Sequence, residues 1–240
     1  MIFEGNISVK SALLSPHREV VKLFVDKSKK DRDTKFILRK AQEQNIEVVY
    51  CERQEIDKLA QGSTHGGLLC EVGKRTYQDL DDIIKEHSFI ALVEGIEDPY
   101  NFGYIIRSLY AAGCDGIITN ERNWSNAANV VAKASAGASE YIAHVSSSSL
   151  EHDIKQLRTK GIAIVCALRD DTAIEMYDYN FKKPVCICIG GEKRGLSKII
   201  TSHSDQNVFI PYNSEFKNAL NAVSATTILA YELIRQRKHK

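Results

Sequence analysis

The sequence predicts an α/β protein of two domains: a small α/β domain over residues 1–73 and a larger parallel-sheet domain over 89–240, joined by a helical linker over 74–88. Three observations carry this. Between Phe89 and Ile210, short apolar runs recur with helical or polar stretches between them. Runs apolar along their whole length suit strands covered on both faces, as in parallel sheets. A glycine-rich turn, Gly190-Gly-Glu-Lys-Arg-Gly195, directly follows one of these runs. The first 73 residues instead alternate brief strand-like and helix-like pieces.

The elements follow in order. Val20 to Val25 and Ile46 to Tyr50 are β-rich runs. Between them, Thr34 to Gln44 has helical spacing of Phe36, Ile37 and Ala41. Gly62-Ser-Thr-His-Gly-Gly67 reads as a loop into the strand Leu68–Val72. Tyr77 to His87 is amphipathic, with Leu80, Ile83 and Ile84 on one face, and is taken as the connecting helix. Phe89 to Val93 is a buried strand, and Asn101 to Ala112 a helix stopped by Gly113. Further strands are expected from Ile117, at Ile142 to Val145, Ile162 to Ala167, Val185 to Ile189 and Val208 to Ile210. A C-terminal amphipathic helix capped by Asn218 closes the chain.

Composition narrows the function classes. A hydrophobic fraction of 43% is ordinary for a soluble domain, and no run approaches a membrane span. The start lacks the basic and apolar segments of a signal peptide, so the cytoplasm is the expected compartment and no membrane partner is expected. The six cysteines include no Cys-x-x-Cys pair and the seven histidines no metal-ligand spacing, so the thiols read as reduced core residues and no metal is expected. A net charge of +1 does not announce a nucleic-acid binder. The basic residues are clustered, however, between Lys22 and Lys40 and in the ending Arg235-Gln-Arg-Lys-His-Lys240. Taken alone, these suit a solvated helix face and a frayed tail.

Three segments carry chemistry. The Gly190–Gly195 turn follows a strand's carboxyl end, where ligands bind in open α/β sheets, and glycine lets backbone approach a ligand closely; taken alone, it equally suits a purely structural turn. It has neither Rossmann spacing nor a P-loop Lys-Ser/Thr, which argues against nucleotide phosphates. Asn101-Phe-Gly-Tyr-Ile-Ile-Arg107 puts an arginine two turns into an apolar helix, where it is either a surface ion-pair partner or a phosphate clamp. Ile210-Pro211 is followed by Ala219-Leu-Asn-Ala-Val-Ser224, which runs into the last helix.

Together and in this order, these segments resemble the SpoU (TrmH-type, SPOUT) family of RNA ribose 2′-O-methyltransferases, whose pattern is Asn-x-Gly-x-x-x-Arg, Gly-x-Glu-x-x-Gly, Ile-Pro and Ser-Leu-Asn. Lys133-Ala-Ser-Ala-Gly-Ala138 is similar to the family's Ser-Ala-Gly-Ala turn. Gly5, Ser8-Val9 and His65-Gly66-Gly67 resemble its small, ribosomal-protein-like RNA-binding domain. The chain departs from the pattern at Ala219, where the family has serine, and at Tyr212, where methionine is usual; the Asn213–Asn218 loop also lacks glycine.

The resemblance implies a catalytic domain with a C-terminal trefoil knot, a homodimer, S-adenosylmethionine as methyl donor and structured RNA as substrate. Large-subunit ribosomal RNA is favoured, because members with such an N-terminal domain tend to act there. The alternatives are a tRNA methyltransferase and a catalytically inactive RNA-binding protein on the same scaffold. Carried over by position, Leu168, Gly190, Ile210 and Leu220 are implied to hold the cofactor. Asn101, Arg107, Glu192 and Asn221 are implied to form the reaction centre. Arg107 is the family's proposed base, but a guanidinium stays protonated near neutral pH, so it equally suits a phosphate clamp that polarises the 2′-hydroxyl.

Overall fold

The computed structural model describes every residue except Asn123, Lys217, His239 and Lys240, and the side chain of Ser125. Along the chain run β1 (Ile2–Glu4), α1 (Gly5–Leu14), β2 (Val20–Asp26), α2 (Arg32–Glu43), β3 (Glu47–Cys51), α3 (Arg53–Leu59) and β4 (Leu68–Val72). Then come β5 (Phe89–Glu94), α4 (Pro99–Ala111), β6 (Gly116–Asn120), α5 (Ala128–Ala134), β7 (His144–Ser147), α6 (Leu150–Thr159), β8 (Ala163–Ala167) and β9 (Ile174–Glu175). The chain ends with β10 (Val185–Gly190), α7 (Lys198–Thr201), β11 (Gln206–Phe209) and α8 (Ala222–Lys238).

Two compact units result, and their limits are not those of contiguous domains. The first takes Met1–Thr76 together with residues 123–141; the second takes Tyr77–Arg122 and Ile142–Lys240. The stretch expected to run unbroken from 89 to 240 thus lends 123–141, with its Ser135–Ala138 turn, to the first unit. The cause is burial: Ala128 and Ala132 of α5 join Phe3, Val9, Leu23 and Leu68 in one apolar core. The linker also differs from expectation. No helix spans Tyr77–His87; only Leu80–Ile83 forms a 3-10 turn, after which Ile84 is extended. Asp79 and Asp82 cap each other's backbone there, and such short acidic side chains favour caps over helix interiors.

In the first unit the strand order is β1-β4-β2-β3, with only β2 and β3 parallel. α2 starts where the Asp31 carboxylate accepts from the Thr34 amide at 2.9 Å, and it buries Ile37 and Ala41. Two charged pairs join distant segments, one of them wholly inside. Arg18 donates to Glu140 at 2.7 Å, with both side chains almost wholly buried, and also donates to the Gly73 carbonyl at 2.9 Å. Glu4, on β1, accepts from Lys133 and from the Gln61 and Gly62 amides. Burial alone would raise the Glu4 pKa. The Lys133 and Gln61 hydrogen bonds outweigh that and hold it below the ordinary 4.5. Much of the Lys22–Lys40 cluster is paired: Lys22 with Glu47 at 3.0 Å, Lys29 with Asp31 at 2.8 Å, and Lys40 with Glu43.

The second unit is built on a seven-stranded parallel sheet ordered β7-β6-β5-β10-β8-β11-β9. Its central strands are apolar throughout: Phe89–Val93 and Val185–Ile189 are fully buried, as unbroken runs predict. Burying each such Ile or Leu contributes roughly 1.5–3 kcal/mol. All six cysteines are buried and free. Cys166 and Cys188 stand in register on neighbouring strands, within a cluster of Ile and Leu. α4 begins at Asp98, which accepts from the Asn101 amide at 2.9 Å, with Pro99 in its first turn. α8 packs along α4, where Thr227 donates to Ser108 at 2.8 Å. Asn221, not Asn218, caps α8, taking the Ser224 amide at 2.8 Å. The basic ending is not simply frayed: Arg237 donates to the carbonyls of Phe181, His87, Ser88 and Lys183 at 2.8–3.0 Å. His239 and Lys240 lie outside the described residues. Among the described residues, no helix is long and apolar enough to cross a membrane.

Candidate active site

Three neighbouring strands of the second unit, β10, β8 and β11, end together, and their outgoing turns enclose a cavity of about 400 Å³. This is the carboxyl edge of a parallel sheet, where ligands bind in open α/β folds. β8 contributes Ala167, Leu168 and Arg169; β10 contributes Ile189, Gly190 and Gly191; β11 contributes Val208, Phe209 and Ile210. Tyr212, Leu220 and the first turns of α8, at Ala222 and Ala225, close it. The size is that of small-molecule sites, and the wall is mainly apolar side chain and backbone.

The β10 turn depends on glycine for close approach. A Cβ on Gly190 would collide with the Gly195 carbonyl carbon and lie 2.5 Å from the Leu196 nitrogen. A Cβ on Gly191 would collide with the Gly95 carbonyl. The turn is closed by the Gly195 amide, which donates to the Gly191 carbonyl at 2.8 Å. Glu94, the last residue of β5, accepts from the Ser197 amide at 2.7 Å and ties the two turns together.

A second cleft of about 340 Å³ lies at the end of β5, lined by Gly95, Ile96, Glu97, Asp98, Asn101, Glu192 and Lys193. Glu192 lines both spaces. Lys193 donates to Glu97 at 2.7 Å, and this hydrogen bond holds the Glu97 carboxyl below its usual range. Arg122 donates to the Ile96 carbonyl at 2.9 Å and braces that turn.

The structure therefore brings Leu168, Gly190, Ile210 and Leu220 onto one cavity, and Asn101 and Glu192 onto the adjoining cleft. Asn221 follows Leu220 directly, with its carboxamide engaged as the α8 cap. Arg107 lines neither space. It is exposed on α4, two turns beyond Asn101, and its side chain makes no hydrogen bond or ion pair with a described residue. Sequence reasoning missed the cleft residues Gly95 to Glu97, though a glycine directly after the β5 run was the signal available. It also missed Arg169, stacked 5.1 Å over the Phe209 ring, and the hydroxyl of Tyr212.

The class of protein follows from the fold: an α/β domain with the architecture seen in RNA methyltransferases of known structure. Two solved structures share it. The SpoU methyltransferase AviRb from Streptomyces viridochromogenes, in complex with AdoMet, superposes with a TM-score of 0.81 at 24% identity, over 100% of this chain and 91% of that one. An rRNA methyltransferase from Sinorhizobium meliloti gives 0.81 at 22% identity, over 98% of this chain and 86% of that one. In sequence, a TrmH family tRNA/rRNA methyltransferase of Staphylococcus haemolyticus is 29% identical over 99% of this chain and 96% of its own length. Residues 88–231 match the SpoU rRNA Methylase family, and residues 2–78 match the RNA 2′-O ribose methyltransferase substrate-binding domain. The chain belongs to the SpoU rRNA methylase family.

Proposed function

We propose that this protein is an S-adenosylmethionine-dependent ribose 2′-O-methyltransferase of structured RNA, with large-subunit ribosomal RNA as its substrate. The observation that carries the reading is the convergence of Leu168, Gly190, Ile210 and Leu220 on one cavity at the carboxyl edge of the sheet. The substrate-binding match over residues 2–78 supports RNA and the ribose hydroxyl, and the AdoMet complex of AviRb supports the cofactor. The C-terminal knot and the homodimer belong to the same reading, as does work in the cytoplasm. Tyr100 and Tyr104, exposed on α4 beside Arg107, suit a surface covered by a second copy.

The residues divide by role. Gly190, Ile210 and Leu220 offer backbone groups to the cofactor, and Leu168 packs against it. Bound there, S-adenosylmethionine supplies an electrophilic methyl on a sulfonium whose charge vanishes on transfer. The protein's task is to bring the ribose 2′-hydroxyl into line with that methyl, a placement worth about 7–11 kcal/mol. Asn101 and Glu192, on the shared cleft, orient the acceptor side. Asn221 fixes Leu220 to the start of α8. The Arg107 side chain, with no partner among the described residues, clamps the phosphate beside the target ribose through its planar fork, and the 2′-hydroxyl proton passes to solvent water or to that phosphate as the oxygen takes the methyl.

The test has two readings of one preparation. Calorimetry is expected to detect S-adenosylmethionine or its demethylated product, and ribosomal RNA from cells lacking the protein is expected to accept a methyl group at a mappable 2′-oxygen. Arg107→Ala is expected to abolish transfer with cofactor affinity unchanged within a few-fold, and Arg107→Lys to fail as well, because a point charge does not replace a fork. Methylation of tRNA alone would move the substrate. RNA binding with no transfer would make the protein an inactive binder, the reading Ala219 favours.

A further inference from the structure

We infer that Tyr212 is a positioning residue for the cofactor: its hydroxyl holds the Leu220 peptide in place, a task that methionine or phenylalanine cannot perform. The inference rests on reading the 400 Å³ cavity as the S-adenosylmethionine site.

The argument starts from the turn itself. β11 stops at Phe209, because Pro211 has no amide to continue a ladder. The chain then makes a long excursion before α8 begins at Ala222. The segment Asn213–Asn218 carries no glycine and no second proline, and its described residues are exposed. Such a segment does not hold one conformation by burial, and ordering it costs entropy. Yet both of its ends line the cavity, Tyr212 at one and Leu220 at the other.

One contact bridges those ends. The Leu220 amide donates to the Tyr212 hydroxyl at 2.9 Å, across eight positions of sequence. The Tyr212 ring is steadied in turn by Phe216, with centroids 5.9 Å apart and planes inclined by 41°. One residue further on, Asn221 is fixed by capping α8. Leu220 is therefore held on both sides, by a side-chain hydroxyl on its amide and by the helix cap beyond it. A phenol oxygen accepts such a bond, whereas a phenyl ring offers no acceptor and a thioether a weak one. Without it the Leu220 amide is left half-buried and unsatisfied, and the turn is free to open.

The test compares the whole protein with Tyr212→Phe, which keeps the ring and removes one oxygen. Two measurements are read. Without cofactor, amide hydrogen exchange at Leu220 is expected to accelerate roughly tenfold in the variant, as one lost hydrogen bond implies. With S-adenosylmethionine, the dissociation constant and the cofactor KM are expected to rise by a similar factor, while kcat at saturating cofactor stays at the wild-type value and Tm falls by no more than the roughly 2–4 °C that one hydrogen bond accounts for. Equal exchange at Leu220 in the two proteins overturns the inference, and so does unchanged affinity. Tighter binding overturns it too, because the hydroxyl would then be competing with the cofactor for the amide. A lower kcat at saturating cofactor, or a fall in Tm well beyond what one hydrogen bond accounts for, reduces Tyr212 to a structural residue and also overturns it. If the wild-type protein binds no S-adenosylmethionine, the reading of the cavity fails, and the exchange measurement still decides whether Tyr212 holds Leu220.

Discussion

The two units bury charge in opposite ways. In the first, Arg18–Glu140 is an ion pair set into the interior, the buried Glu4 pairs with the half-buried Lys133, and each pair joins the N-terminal stretch to residues 123–141. In the second, the central strands bury unbroken apolar runs, and charge lies outside the sheet: Glu97, Lys193 and Glu192 at its carboxyl edge, and Glu232 buried on α8, where Arg235 three residues on pairs with it. The contrast teaches that a parallel sheet announces itself locally, whereas a unit assembled from distant segments depends on pairings that no window of sequence contains.

The largest expected effect comes from separating the two. A fragment of residues 88–240 carries α5 and Glu140 without the partners that bury them. Its amides over 128–140 are expected to lose hydrogen-exchange protection, while those of β5 and β10 keep theirs. Protection of 128–140 in that fragment would break the grouping. Next is Glu140→Gln, which leaves the buried Arg18 guanidinium without its countercharge and is expected to cost about 3–5 kcal/mol in denaturant unfolding. The double change Arg18→Met with Glu140→Leu is expected to recover most of that, since apolar replacement of a buried pair is often close to neutral.

Gly190→Ala tests the other unit. The added Cβ meets backbone at Gly195 and Leu196, so overpacking of roughly 1–3 kcal/mol is expected, together with loss of cofactor binding by calorimetry. A smaller effect concerns acid. The Glu4 carboxyl is lowered in the folded protein, so its stabilising contribution is complete above the ordinary 4.5 and disappears as pH falls through the lowered value. The urea midpoint of the wild type is therefore expected to fall between pH 5 and pH 3 (roughly the range where a carboxylate titrates), and Glu4→Gln to flatten that limb. The smallest is Lys193→Ala: its pair with Glu97 is solvent-exposed, and Tm is expected not to move.

The sheet was legible because its apolar runs coincide with strands, from Phe89 to Val93 through Val185 to Ile189. The convergence of Leu168, Gly190 and Ile210 on one cavity was legible too, because each lies just beyond the end of such a run. The linker was misread because Leu80, Ile83 and Ile84 have helical spacing while the aspartates among them cap a single turn. The cap of α8 fell on Asn221 rather than Asn218, a difference of three residues that only the backbone path decides. The membership of 123–141 was not legible at all, since small residues such as Ala128 and Ala132 fit many interiors.

That membership also bears on synthesis. A chain leaving the ribosome usually folds its leading domain while the rest is still being made, at about 5–20 residues per second. Here Met1–Thr76 emerges without α5, Lys133 and Glu140, so Glu4 and Arg18 have no countercharge until translation has passed Tyr141. At those rates the nascent segment waits roughly 3–13 s with its carboxylate and guanidinium unmatched. The cavity comes later still, because its walls begin at Ala167 and end at Leu229. The first unit is therefore completed only when translation has passed Tyr141, and the cavity only when it has passed Leu229.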